Sequence, residues 1–208
     1  MPLPAHAYDR VDETPDPLFY SVPRMVVHID AATIEALTSF YAETIPASAD
    51  VLDLMSSWVS HLPKNLALGR VAGLGMNTEE LAANKSLTEY LVQDLNNQPQ
   101  LPYEDESFDF VLNAVSVQYL KQPLEIFAEV ARVLRPGGRS IVAMSHRCFP
   151  TKAIRAFQVA GSEERFRLVS LYHEEARAFA TVEALDRSPA GADPLWLVMA
   201  TKKETNEL

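Results

Sequence analysis

The chain has 208 residues, 48% hydrophobic and 22% charged, which is enough to bury a two-sided core in one α/β domain and is unlike a disordered chain. Its formal net charge is −10, from 18 Lys and Arg against 28 Asp and Glu; with no basic block, this argues against a nucleic-acid partner, whose phosphates are bound by clustered cations. Cys148 is the single cysteine, so an internal disulfide is excluded, and no run approaches the roughly twenty apolar residues of a membrane span.

Residues 1–29 read as an irregular, Pro-rich segment lying over the surface, since proline lacks a ladder donor and restricts its predecessor. The stretch from Met1 to Asp16 has no apolar leader, which makes cytoplasmic residence the default expectation. Residues 30–208 read as a single domain. Asp30 is an N-cap for an amphipathic helix carrying Ile34, Leu37, Phe40 and Tyr41, closed by Pro46. Ala49–Leu54 and Ala67–Leu74 read as buried strands, Thr78 as the cap of the next helix, and Tyr90–Gln93 and Phe108–Asn113 as the third and fourth strands. A helix is expected from about Pro123 to Leu134, stopped by Gly137-Gly138. Gly138–Met144 follows as the fifth strand and Thr151 to about His173 as one long helix; Phe179–Leu185 and Leu195–Thr201 form a closing hairpin.

The predicted fold class is therefore α/β: a Rossmann-like, doubly wound, seven-stranded sheet, mostly parallel with a C-terminal antiparallel hairpin. No G-x-G-x-x-G follows Leu54, and the hairpin also speaks against a nicotinamide-binding Rossmann domain. Val51-Leu52-Asp53-Leu54, the run Ser107-Phe108-Asp109-Phe110-Val111-Leu112 and the Leu134-Arg135-Pro136-Gly137-Gly138 turn before Ser140–Met144 together resemble the class I S-adenosylmethionine-dependent methyltransferases, in particular the type 11 domains. The resemblance spans about residues 49–203.

That resemblance implies a cofactor, S-adenosyl-L-methionine, beyond the carboxyl ends of the strands near strand one. By position it implies cofactor contacts from Asp53 and Leu54, from Ser56 and Ser57 in place of the family's glycine-rich turn, from Gly75 and Met76 after strand two, from Asp94 and Leu95 after strand three, and from Asn113 after strand four. Two positions depart from the family pattern. Met55-Ser56-Ser57-Trp58-Val59 replaces the glycines, so either the serine hydroxyls substitute for lost backbone contacts or Met55 and Val59 fill the pocket. Gly75 stands where an acid usually grips the ribose hydroxyls; Asn77 is a partial substitute, and His61 is a further candidate for the altered grip.

On the acceptor side, His146 is the expected general base because it follows strand five and titrates near neutrality. Tyr20, Arg24, His28 and Arg147 are the expected substrate-binding residues, the arginines suiting a carboxylate. No His, Cys or carboxylate spacing suggests a metal. The functional expectation is a methyltransferase acting on a small-molecule acceptor, without nucleic acid or membrane. The alternatives are a non-catalytic binding module and a domain using a modified cofactor.

Overall fold

Alternation of side chains along the strands decides how the sheet is covered. In the computed structural model, which describes residues 3–205, β1 (Val51–Ser56), β2 (Val71–Gly75), β3 (Glu89–Val92), β4 (Phe108–Ala114), β5 (Leu134–Met144), β6 (Phe179–Asp186) and β7 (Trp196–Lys202) form one sheet in the order β3-β2-β1-β4-β5-β7-β6. The first five strands are parallel, and β7 runs antiparallel between β5 and β6. Leu52 and Leu54 of β1 join the core formed with α4 (Pro123–Val133) and α6 (Ser162–Glu175), whereas Val51 joins Leu37, Phe40 and Tyr41 of α2 (Ala31–Thr44) in the other. Each fully buried Leu or Phe in these cores contributes about 1.5–3 kcal/mol.

Four local expectations are corrected. Asn77, not Thr78, caps α3 (Thr78–Ala83), its Oδ1 accepting from the Glu79 and Glu80 N–H groups at 2.9 and 3.1 Å. The helix before β5 ends at Val133, where Leu134 turns to extended backbone, because Pro136 has no N–H and biases Arg135 away from helix. Gly137-Gly138 then falls inside β5, at the shift in register between Phe108↔Leu134 and Phe110↔Arg139. Gly137 has φ +73°, and a side chain on Gly138 would meet the Arg135 and Asp109 carbonyls at 2.8 and 3.0 Å. Last, the long helix expected after residue 151 is two: α5 (Arg155–Val159) and α6, separated at Ala160-Gly161, both in extended backbone.

The short α3 covers little of β3, and no helix joins β3 to β4, so Tyr90, Leu91 and Val92 stay 38%, 45% and 51% exposed. At the other end of the chain, the Pro-rich segment is fastened by charge. Arg10 donates to both oxygens of Asp16 at 2.7 and 3.1 Å, just at the start of α1 (Asp16–Phe19). Lys152 is fully buried, with Nζ 2.6 Å from the Thr14 carbonyl and 3.3 Å from Asp16. Asn96, in the loop after β3, donates to the same carboxylate at 2.8 Å. Burial pushes the Asp16 carboxyl up, but hydrogen bonds from Arg10 and Asn96 more than offset it and hold its pKa below the ordinary value. This knot anchors the chain where it enters α1.

Candidate active site

In an open parallel sheet the strand order reverses between β1 and β4, and the crevice there faces the carboxyl ends of the strands. A cleft occupies that place. Its floor is built from the turns after β1, β2, β3 and β4; the N-terminal segment, from Asp16 to His28, and Phe149 cover it.

The turn after β1 follows a tight path. Met55 has φ +58°, a left-handed conformation in which a side chain costs on the order of 1–3 kcal/mol and glycine far less. The strand then resumes, pairing Ser56 with Gly75 across a register shift. Asp53, 4% exposed, accepts from the hydroxyls of Ser56 at 2.5 Å and Ser60 at 2.6 Å. Asn84 donates to both the Ser60 hydroxyl and the Ser57 carbonyl at 2.8 Å. Ser57 donates to Glu80 at 2.5 Å, and Glu80 accepts the Arg24 N–H at 2.7 Å. A continuous chain of hydrogen bonds thus runs from the β1 acid to the covering segment, supplemented by the Asn77 amide on the Tyr20 carbonyl at 2.9 Å and the Trp58 indole on the Val26 carbonyl at 2.8 Å.

Burial pushes the Asp53 carboxyl up to about 6 despite its two hydroxyl donors. A folded-state pKa above the unfolded value means that the native state binds the extra proton, so this contribution to stability is present below about pH 4 and is lost as pH rises through about 6. Asp53→Asn is therefore expected to gain on the wild type by about 2 kcal/mol as pH rises from 4 to 7. Thermal melts of both proteins across that range test it; a difference that stays flat with pH would contradict an ionisable Asp53.

Gly75 leaves no room for the acid that the family pattern carries there. A Cβ at this position would run into the carbonyl oxygen of Ser56, which the resumed β1 brings alongside. Asn77 is engaged twice, as the α3 cap and on the covering segment. The carboxylate lining the β2 wall is instead Glu80.

Of the residues singled out from sequence, Asp53, Ser56, Ser57, Gly75, Met76, Asp94 and Leu95 line the cleft, together with Tyr20, Arg24 and His28 from the cover. The hydroxyls of Ser56 and Ser57 are already donating to carboxylates, and Met55 and Val59 line the space. Asp94 caps its own turn, Oδ1 accepting the Asn96 N–H at 3.0 Å, while also facing the cleft. Leu54 and Asn113 lie beneath the floor: Leu54 is 2% exposed in the core, and Asn113 holds the Leu54 carbonyl at 3.5 Å and accepts from Ser116 at 3.1 Å.

His146 and Arg147 lie outside the cleft. His146 Nε2 is 3.2 Å from Asp193 and Arg147 Nε is 3.2 Å from both oxygens of the same carboxylate, which also accepts the Asp30 N–H at 3.0 Å. The loop after β5 therefore turns these two side chains toward the start of α2 and places Phe149 in the cleft, its N–H on the Tyr119 hydroxyl at 2.8 Å. The imidazoles that do line the cleft are His28 and His61. Sequence reasoning missed Glu80, which reads as an ordinary helix-start acid, and Asp16, which falls in the stretch read as irregular; burial distinguishes both. Among the described residues no cluster of three or more His, Cys, Asp or Glu is placed to hold a metal ion, and no helix is long and apolar enough to cross a membrane.

Five parallel strands with an antiparallel seventh inserted before the sixth define the Rossmann-like methyltransferase fold. Residues 55–142, from the turn after β1 into β5, match the family described as methyltransferase domain, in agreement with the class I, type 11 resemblance. The chain is 34% identical over 115 residues to the malonyl-[acyl-carrier protein] O-methyltransferase of Hahella chejuensis, covering 51% of this chain and 39% of that protein. The matched stretches span well under half the length of the curated relatives. In fold, it is similar to a chain of the complex containing the Haloferax volcanii Trm112 methyltransferase activator (TM-score 0.62, 18% identity, 83% of this chain and 91% of that one). It is likewise similar to Haemonchus contortus phosphoethanolamine N-methyltransferase 2 in complex with S-adenosyl-L-methionine (TM-score 0.59, 15% identity, 83% and 52%).

Proposed function

We propose that the chain is an S-adenosylmethionine-dependent methyltransferase that acts on a small-molecule acceptor. The observation that carries this reading is the open cleft at the β1/β4 switch point, floored by the segment that matches the methyltransferase domain. The residues present fit the cofactor. Asp94 and Leu95 would hold the adenine end, Glu80 stands on the wall where Gly75 offers no side chain, and Met55 and Trp58 line the same cleft. When bound, the cofactor supplies an electrophilic methyl group on a sulfonium.

The chain's own part is alignment and exclusion of water. The cover, fastened through Arg24, Tyr20 and Val26, roofs the site. Aromatic walls from Trp58, Tyr119 and Phe149 suit a small acceptor better than a folded one. The net charge of −10 supports the expectation that nucleic acid is not the acceptor. A non-catalytic binding module is the second reading, favoured by the hydroxyls and acids around the β1 turn being bonded to one another.

Calorimetric titration with S-adenosylmethionine and S-adenosylhomocysteine tests the first reading. Micromolar binding is expected, weakened about tenfold or more in Asp94→Ala through loss of a hydrogen bond to a charged acceptor. No binding at millimolar concentration would move the weight to the second reading.

A further inference from the structure

The cover is held at both ends by polar groups and is apolar between them. One end is the Asp16 knot; at the other, the Asp30 N–H donates to Asp193 at 3.0 Å and the Asp193 N–H to Asp30 at 2.7 Å. Between these anchors, residues 17–29 contain a single Lys, Arg, Asp or Glu, namely Arg24. Irregular surface chain ordinarily draws on Gly, Asn, Asp and Ser, but this stretch has one serine and none of the other three.

The cover is tied down largely through its main chain. The Arg24 N–H and the Tyr20 and Val26 carbonyls are the groups bonded to Glu80, Asn77 and Trp58. Apolar side chains are left outside: Leu18, Val22, Met25, Val26 and Val27 are each 46–68% exposed, five of the ten large apolar side chains left exposed among the described residues. Single exposed apolar residues are ordinary, but five within ten residues of chain form a patch, and such a patch marks a binding surface. Val26 and Val27 also line the cleft, where the Trp58 indole is pinned to the Val26 carbonyl. The patch is therefore continuous with the cleft and begins at its mouth.

Charge narrows what the patch receives. The Arg24 guanidinium donates to the Phe19 and Val22 carbonyls at 2.8 and 3.3 Å and rests 4.5 Å over the Phe19 ring, so the one cation of the cover is turned onto the cover itself. With a net charge of −10 and no basic block, the chain repels a second copy of itself and an anionic lipid surface alike. An uncharged hydrocarbon suits the patch, and continuity with the cleft makes it part of the molecule that enters there.

We infer that the acceptor is an amphiphile: its reacting head enters the cleft, and an uncharged hydrocarbon tail leaves past Val26 and Val27 to lie on Met25 and Val22. This deepens the methyltransferase reading, on which the role of the head rests, but the tail is tested without cofactor. A fully buried methylene strengthens binding about fourfold, and one lying on an open surface about twofold.

The probes are 1-butanol, 1-hexanol, 1-octanol and 1-decanol, titrated into the intact chain and followed by the NMR signals of the Val26 and Val27 methyls and the Trp58 indole N–H. Saturable shifts are expected, with affinity rising about twofold or more per added methylene. Val22 and Met25 are exposed and lie outside the cleft lining, so the double variant Val22→Ser with Met25→Ser should keep its melting temperature and its affinity for S-adenosylhomocysteine. In it the gain beyond 1-hexanol is lost. Affinity independent of chain length, or a gain that survives in the double variant, would overturn the assignment. So would flotation with phosphatidylcholine vesicles, or a dimer in sedimentation, that the double variant abolishes; these give the patch to a membrane or to a second copy. If S-adenosylhomocysteine fails to bind while the chain-length dependence holds, the cofactor reading falls and the tail site stands.

Discussion

Asp16→Ala is expected to lower the melting temperature by roughly 6–20 °C, the equivalent of about 3–5 kcal/mol in a chain of this size. The side chains of Arg10, Asp16 and Lys152 are 3%, 6% and 0% exposed, so water cannot take over the charge that the carboxylate balances. Removing it leaves Arg10 without its bidentate partner and Asn96 without its acceptor, and leaves Lys152 with only Asp12, at 3.5 Å, as a counter-charge. Asp16→Asn keeps an acceptor and should lose less. Pairing Asp16→Ala with Lys152→Met should recover part of the loss, because the two sites share one network. Because the pKa of Asp16 is depressed in the folded state, its contribution is present above the unfolded carboxylate value and is lost as pH falls through the folded one. Thermal melts at neutral pH check the prediction; a change of under 2 °C would show that the knot does not hold the cover.

Gly75→Asp is the second large effect, and its sign is opposite to what the family pattern suggests. Placing an acid at the end of β2 looks like a repair of the ribose grip. In this structure the Ser56 carbonyl occupies the space of the first side-chain atom, and Leu81 is 3.1 Å from the same point. Backbone cannot step aside as a flexible side chain would, so β1 and β2 must part at Ser56–Gly75, at a cost of about 1–3 kcal/mol. Gly75→Ala should show most of the same loss, since the collision begins at Cβ. Both variants are expected to melt lower and to bind S-adenosylhomocysteine more weakly than the wild type. A Gly75→Asp protein with unchanged stability and tighter binding would contradict the strand pairing.

The sheet was legible because its signals are local and repetitive. The Val51–Leu54 and Phe108–Leu112 strands carry their burial in near-continuous apolar runs, and the amphipathic helix from Pro123 carries it in its periodicity. The errors fall where one residue serves two elements. Gly137-Gly138 has the signature of a helix stop, yet the helix ends earlier and the glycines form a kink within β5, a distinction set by pairing with β4. Asn77 and Thr78 are both good caps, and the demand of the cover for an amide at residue 77 distinguishes them.

The site was legible along the strand ends and obscure elsewhere. Asp53, Asp94 and Gly75 follow from spacing within the fold. The histidines do not: His146, next to β5 in sequence, is drawn away by Asp193, whereas His28 and His61 line the cleft from two segments, the N-terminal cover and the turn after β1. Long-range contacts of this kind leave no periodic trace. Glu80 was hidden for a related reason, since an acid in the first turn of a helix is favourable for its dipole alone.

Whether the cleft holds an adenosyl cofactor despite the altered β1 turn and the missing β2 acid is decided by a crystal structure of the protein grown with S-adenosylhomocysteine. Adenine density is expected beside Asp94 and Leu95, with the rest of the ligand running past Glu80 toward His28 and His61. Density for the ligand elsewhere, or a cleft closed by Met55 and Trp58 at saturating ligand, would contradict it.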